Sequence, residues 1–169
     1  MTNMEGIDMK RHFGILLLSA GLASAAPALA KSPAASPLLG AWTVDVSRLP
    51  IPPEQRPKSV TFTYSDLGEG KWATQVDIVA ADGSATHGTT SYLRDGTSWP
   101  VQGSPEADTT AVMTPKADVL VMALSKGGVP GSIRIYTVAP DGKSMTETAT
   151  YFSRDGKPVM RTNYFKRIR

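Results

Sequence analysis

From Leu38 onward, apolar and polar residues alternate with a period of two in one short run after another, and each run stops at a turn signal. That period is the signature of strands with one buried face. Gly40–Val46 places Trp42, Val44 and Val46 on one side and Thr43 and Asp45 on the other. Ser59–Tyr64 sets Val60, Phe62 and Tyr64 against Ser59, Thr61 and Thr63. In 72–80, Trp72, Val76 and Ile78 share a face opposite Gln75 and Asp77. Further strands are predicted over 86–93, 97–101, 109–114, 119–124, 132–138, 144–152 and 158–166. No window beyond the first thirty residues holds a 3.6-residue period over three turns.

The punctuation supports the same division. Four Asp-Gly pairs, Asp82-Gly83, Asp95-Gly96, Asp141-Gly142 and Asp155-Gly156, lie between strand-like runs. Asp-Gly is a hairpin signal because tight turns need positive φ at their centre. Gly127-Gly128 and Gly68-Glu69-Gly70 offer two more turns. Pro50, Pro52, Pro53 and Pro57 make the link from Ser47 to Pro57 an extended loop, with room for one helical turn over 53–55. Consecutive antiparallel strands with short links predict an all-β, up-and-down barrel of about eight to ten strands. Closure removes the exposed sheet edges that invite aggregation. A two-sheet sandwich is the alternative.

The first thirty residues follow a different plan. Met9-Lys10-Arg11-His12 is basic, Phe13–Leu22 is apolar and small, and Ala28-Leu29-Ala30 supplies a small-x-small end. This is the layout of a secretory signal, too short in its apolar part to anchor permanently in a bilayer. Residues 1–8 are acidic, which leaves Met9 as an alternative start. Residues 31–37, rich in Ala, Ser and Pro, read as a flexible lead-in, and 38–169 as one domain. The expected location is periplasmic or secreted.

Composition narrows the chemistry. There is no cysteine, so disulfides, thiolate metal sites and thiol nucleophiles are absent. With Lys10, Arg11, Glu5 and Asp8 set aside, 16 Lys and Arg face 13 Asp and Glu, with the signs interspersed. So small an excess predicts solubility, not nucleic-acid binding, and no stable membrane insertion is expected. The basic end, Phe165-Lys166-Arg167-Ile168-Arg169, reads as a solvated tail.

Gly40-Ala41-Trp42 resembles the Gly-x-Trp signature of lipocalins. In that family the Trp plugs the closed end of a barrel, and an Arg from the last strand lies across its ring. The resemblance makes Gly40 and Trp42 structural residues here, with Arg161, Lys166 or Arg167 as the partner. A closer similarity is to secreted bacterial lipocalin-like proteins of unknown function. It rests on Leu38-Leu39-Gly40-Ala41-Trp42, the proline-rich loop, Ala81-Asp82-Gly83 with His87, and Tyr92-Leu93-Arg94-Asp95-Gly96. Pro100-Val101-Gln102-Gly103-Ser104-Pro105-Glu106-Ala107-Asp108-Thr109 is its most specific part. The similarity implies the fold and export, and supplies no catalytic residues.

His87 is the only histidine after the leader, and no His-x-x-x-His or Gly-x-Ser-x-Gly occurs. Asp45, Asp77 and Glu147 are the carboxylates that fall within strands, and Asp45 and Asp77 lie opposite the tryptophans. Neither a metal, a cofactor nor an enzymatic activity is therefore expected. The glycine-rich run 127–131 precedes a strand and reads as a hairpin loop. Two readings remain. One is a barrel that binds a small apolar molecule, with Trp99, Tyr92 and His87 as candidate contacts. The other is an envelope or extracellular interaction module, such as an inhibitor of a secreted enzyme. Its candidate surfaces are the 50–57 loop and the 103–108 segment.

Overall fold

A computed structural model describes residues 35–168. The signal-peptide expectation and most of the lead-in fall outside these residues.

The described residues form ten strands: β1 (Gly40–Val44), β2 (Ser59–Gly68), β3 (Lys71–Val79), β4 (Ala85–Leu93), β5 (Asp95–Gln102), β6 (Thr109–Lys116), β7 (Val119–Lys126), β8 (Val129–Val138), β9 (Ser144–Phe152) and β10 (Pro158–Arg167). Each pairs antiparallel with its neighbours in sequence, and β1 also pairs with β10, with Trp42 opposite Arg167. The sheet is a closed up-and-down barrel, which sets the sandwich alternative aside. Among the described residues helix is confined to two 3-10 turns, Val46–Arg48 and Pro53–Gln55, within the proline-rich link.

The Asp-Gly pairs act through a geometry slightly different from the one expected. In three of them the glycine N–H donates back three residues, from Gly83 to Ala80, Gly142 to Ala139 and Gly156 to Ser153. Glycine is thus the fourth turn residue, not a central one, with φ of 92°, 65° and 77°. This is a three-residue hairpin loop, where the left-handed residue forms a bulge as the second strand resumes. The aspartate fastens the turn from its other side: Asp82 Oδ1 accepts from Ser84 N at 2.8 Å, and Asp141 Oδ1 from Lys143 N at 2.9 Å. Asp95-Gly96 instead begins β5, where the register against β6 shifts between Asp95 and Ser98.

Alternation sends one set of side chains inward, and the two halves of the interior differ. Near the starts of β1, β3, β7 and β9 and the ends of β2, β4, β8 and β10, large side chains fill the space. Trp42, Tyr64, Trp72, Tyr92, Leu120, Tyr136, Met145 and Phe165 are all buried there. Phe62, Tyr64, Tyr136 and Phe165 meet in tilted or edge-to-face contacts at centroid separations of 5.3–6.4 Å, the arrangement aromatic quadrupoles favour. This half is the closed end.

Its plug is a tied knot. Trp42 is fully buried, and its Nε1–H donates to Leu38 O at 2.9 Å. Of the three cationic partners left open by the sequence, the structure selects Arg167, whose guanidinium lies 4.0 Å from the Trp42 ring centroid. That guanidinium also donates to Leu39 O at 2.7 Å, to Gly142 O at 2.6 Å and to Pro37 O. It therefore satisfies carbonyls from the lead-in and from the β8–β9 turn at once. The basic end is thus only partly a solvated tail. A second pair of the same kind, Arg94 over Trp72 at 4.4 Å, sits where β4 turns into β5.

Candidate functional site

The opposite end of the barrel stays open inside. Here the inward residues of β3, β4 and β6 are smaller: Thr74, Val76, Thr86, Gly88, Thr90 and Thr110. Small side chains on facing strands leave a cavity of about 270 Å³. That is near the lower limit of the roughly 300–1,000 Å³ typical of small-molecule sites. Its floor is the aromatic layer of Phe62, Tyr136 and Phe165, which shuts it off from the closed end.

Two loops roof the cavity. The proline-rich link contributes Leu49, Pro50, Ile51 and Pro57. It is fixed at its start by Asp45 N donating to Tyr164 O at 2.7 Å and by Arg48 stacked 3.3 Å over the Tyr164 ring. At its end Lys58 N donates to Val79 O. The β5–β6 segment contributes Ser104, Pro105, Glu106 and Ala107. Asp108 ties that segment to the β7–β8 turn through Gly127 N at 2.7 Å. Gly103 permits the close pass over β4. Its φ is 68°, and an added Cβ would lie 2.1 Å from the His87 carbonyl oxygen, so only glycine fits. The two segments that the sequence offered as partner surfaces thus form the mouth of the interior.

The walls are chemically unequal. Val60, Val76, Ile78, Val101 and Leu124 make one side apolar. On the other, strand register lines up two polar rows across β8, β9 and β10. Arg134, Ala149 and Arg161 stand abreast, and Tyr136, Glu147 and Asn163 form the next row toward the floor. Glu147 is only 2 % exposed. Its carboxylate accepts from Tyr136 Oη at 2.9 Å and from Asn163 Nδ2, and Arg134 stands 3.5 Å away. Arg134 is also ion-paired with Glu106 from the roof. A carboxylate so enclosed needs this full set of donors, because a buried charge without partners is strongly unfavourable.

The electrostatic consequences follow from burial. Burial pushes the Tyr136 hydroxyl well above its ordinary pKa, and the Glu147 charge adds to the shift. Tyr136 therefore stays neutral and donates. Burial opposes the Arg134 charge, but the Glu106 and Glu147 carboxylates outweigh it and hold the pKa above the usual arginine value. Two polar atoms of the same wall are buried without a partner, Arg161 Nε and Asn163 Oδ1.

None of the three residues named from the sequence as ligand contacts lines this cavity. Tyr92 is fully buried in the closed end, its hydroxyl 2.6 Å from Thr74 Oγ1, and burial raises its pKa to about 12. Trp99 packs half-buried against the core, with Nε1–H donating to Thr97 Oγ1 at 3.0 Å. His87 faces outward and pairs through Nδ1 with Asp77 Oδ1 at 2.6 Å. Hydrogen bonds from Gln75 and His87 hold the Asp77 carboxyl below its ordinary pKa. Gly40 stands at the head of β1 with φ of 109°.

The polar wall was missed, although one signal for it is present in the sequence. Glu147 shares strand parity with Met145 and Ala149, Arg134 with Tyr136 and Val138, and Arg161 with Phe165. A charged residue on the apolar parity of its strand is a charge inside the barrel. Among the described residues no group of three or more His, Cys, Asp or Glu side chains converges as a metal site. No family model matches the chain, and no curated protein is significantly similar to it.

Proposed function

We propose that this protein is an exported carrier or sensor that binds one small, largely apolar molecule inside the barrel. The observation that supports it is the unequal filling of the interior. One half is packed with aromatic rings, while the other keeps about 270 Å³ behind a mouth built from two anchored loops. A chain needing only a stable barrel gains from filling such a space, since voids forgo dispersion and burial energy. A cavity with one apolar wall and a few convergent polar groups is the common form of a ligand site.

The experiment is a fluorescence titration with the neutral apolar reporter N-phenyl-1-naphthylamine. Saturable uptake at one site per chain is the expected result. Val76 points into the cavity from β3, so Val76→Trp is expected to weaken uptake by at least about tenfold, or 1.4 kcal/mol. Leu93, exposed on the outer surface of β4, serves as the control, and Leu93→Ser is expected to leave uptake unchanged. Absence of saturable uptake by the unaltered protein would refute the reading.

A further inference from the structure

Three of the four charged side chains lining the cavity are already paired. Arg134 lies between Glu106 and Glu147, and both carboxylates are engaged. Arg161 is the exception. No carboxylate among the described residues lies within 4.0 Å of its guanidinium, and its one ring contact is with Tyr151 at 5.7 Å. Its Nε is buried and unbonded, and it lines the cavity. Two residues along the same strand, Asn163 is only 7 % exposed, and its Oδ1 lacks a donor. The neighbour across β9 is Ala149, too small to cover the gap between Arg161 and Arg134.

Buried polar groups are nearly always satisfied. An unpaired donor and an unpaired acceptor, side by side on one wall, mark where polar ligand atoms belong. A guanidinium presents its N–H groups as a planar fork that matches the two oxygens of a carboxylate. Glu147 does not repel such a group strongly, because Tyr136, Asn163 and Arg134 already surround its charge. The opposite wall, from Val60 to Leu124, is suited to hydrocarbon. We infer that the cavity takes an amphipathic monocarboxylate, with its carboxylate on Arg161 and its tail against β2, β3 and β7. This inference rests on the carrier reading and adds the chemical class of its ligand.

The test is displacement of N-phenyl-1-naphthylamine by three ligands of equal length: octanoate, octan-1-ol and octylammonium. Octanoate is expected to displace the reporter at concentrations about tenfold below the alcohol and the amine. Arg161→Met is expected to bring octanoate to within about threefold of octanol, with each displacement referred to the reporter's own affinity for that variant. Should that variant fold poorly, Arg161→Lys keeps the charge but loses the fork, and is expected to retain only part of the preference. Equal displacement by octanoate and octanol in the unaltered protein would overturn this inference and leave the carrier reading standing. So would an octanoate affinity indifferent to either substitution. Failure to bind the reporter or any of the three ligands would overturn both.

Discussion

Trp42→Ala is expected to destabilise the barrel by about 3–5 kcal/mol, read as a fall in the urea midpoint at unchanged slope. The ring is fully buried and stands at the centre of the plug. Its loss removes aromatic area, opens a void in the buried cluster, and leaves Leu38 O without its donor. It also removes the surface on which the Arg167 guanidinium lies. Arg167 then holds three backbone carbonyls with no ring beneath it, and the β1–β10 seam is pinned less firmly. That seam is where the sheet closes on itself. Trp42→Phe retains most of the packing and loses only the indole donor, so a smaller effect of about 1–2 kcal/mol is expected.

The second large effect is at Glu147. Glu147→Leu is expected to cost about 3–5 kcal/mol, because it strips the acceptor from three donors at once. Tyr136 Oη, Asn163 Nδ2 and one side of Arg134 would then be buried without their partner. Glu147→Gln keeps an acceptor oxygen and is expected to lose clearly less. The pair Arg134→Met with Glu147→Leu is expected to be far less harmful than the sum of the single changes, since replacing both members removes the orphaned charge. A simple sum would show that the two side chains do not act as a unit. Urea titrations of the four proteins read this coupling directly.

How much was legible in the sequence depends on which physical rule each feature obeys. The ten strands were readable because a strand with one buried face writes its period into the chain, as Val60, Phe62 and Tyr64 do on β2. The 3-10 turn at Pro53–Gln55 followed from proline geometry. Closure was arguable only from the general disadvantage of open edges. The partner of Trp42 could not be chosen, because Arg161, Lys166 and Arg167 lie within seven residues. Only the register, which sets Arg167 opposite Trp42, decides between them.

The site was the least legible part. Aromatic content drew attention to Trp99 and Tyr92, yet in this barrel the rings fill the interior and the cavity lies where side chains are small. That distribution depends on which strands face each other across the axis, and a linear pattern does not carry it. The three-strand rows Arg134–Ala149–Arg161 and Tyr136–Glu147–Asn163 likewise arise from register alone. From the sequence the roofing loops read only as candidate partner surfaces. Nothing in their composition shows that Gly103 lets one of them cross over β4.

Methyl NMR of the purified protein during titration with the neutral reporter shows whether the two halves of this interior differ in their access to a small molecule. Shifts are expected at the methyl groups of Val60, Val76 and Leu124, and none at Val112 and Leu120 in the packed half. Shifts of equal size in both halves, or shifts confined to exposed methyls such as those of Ile133 and Ile135, would contradict it.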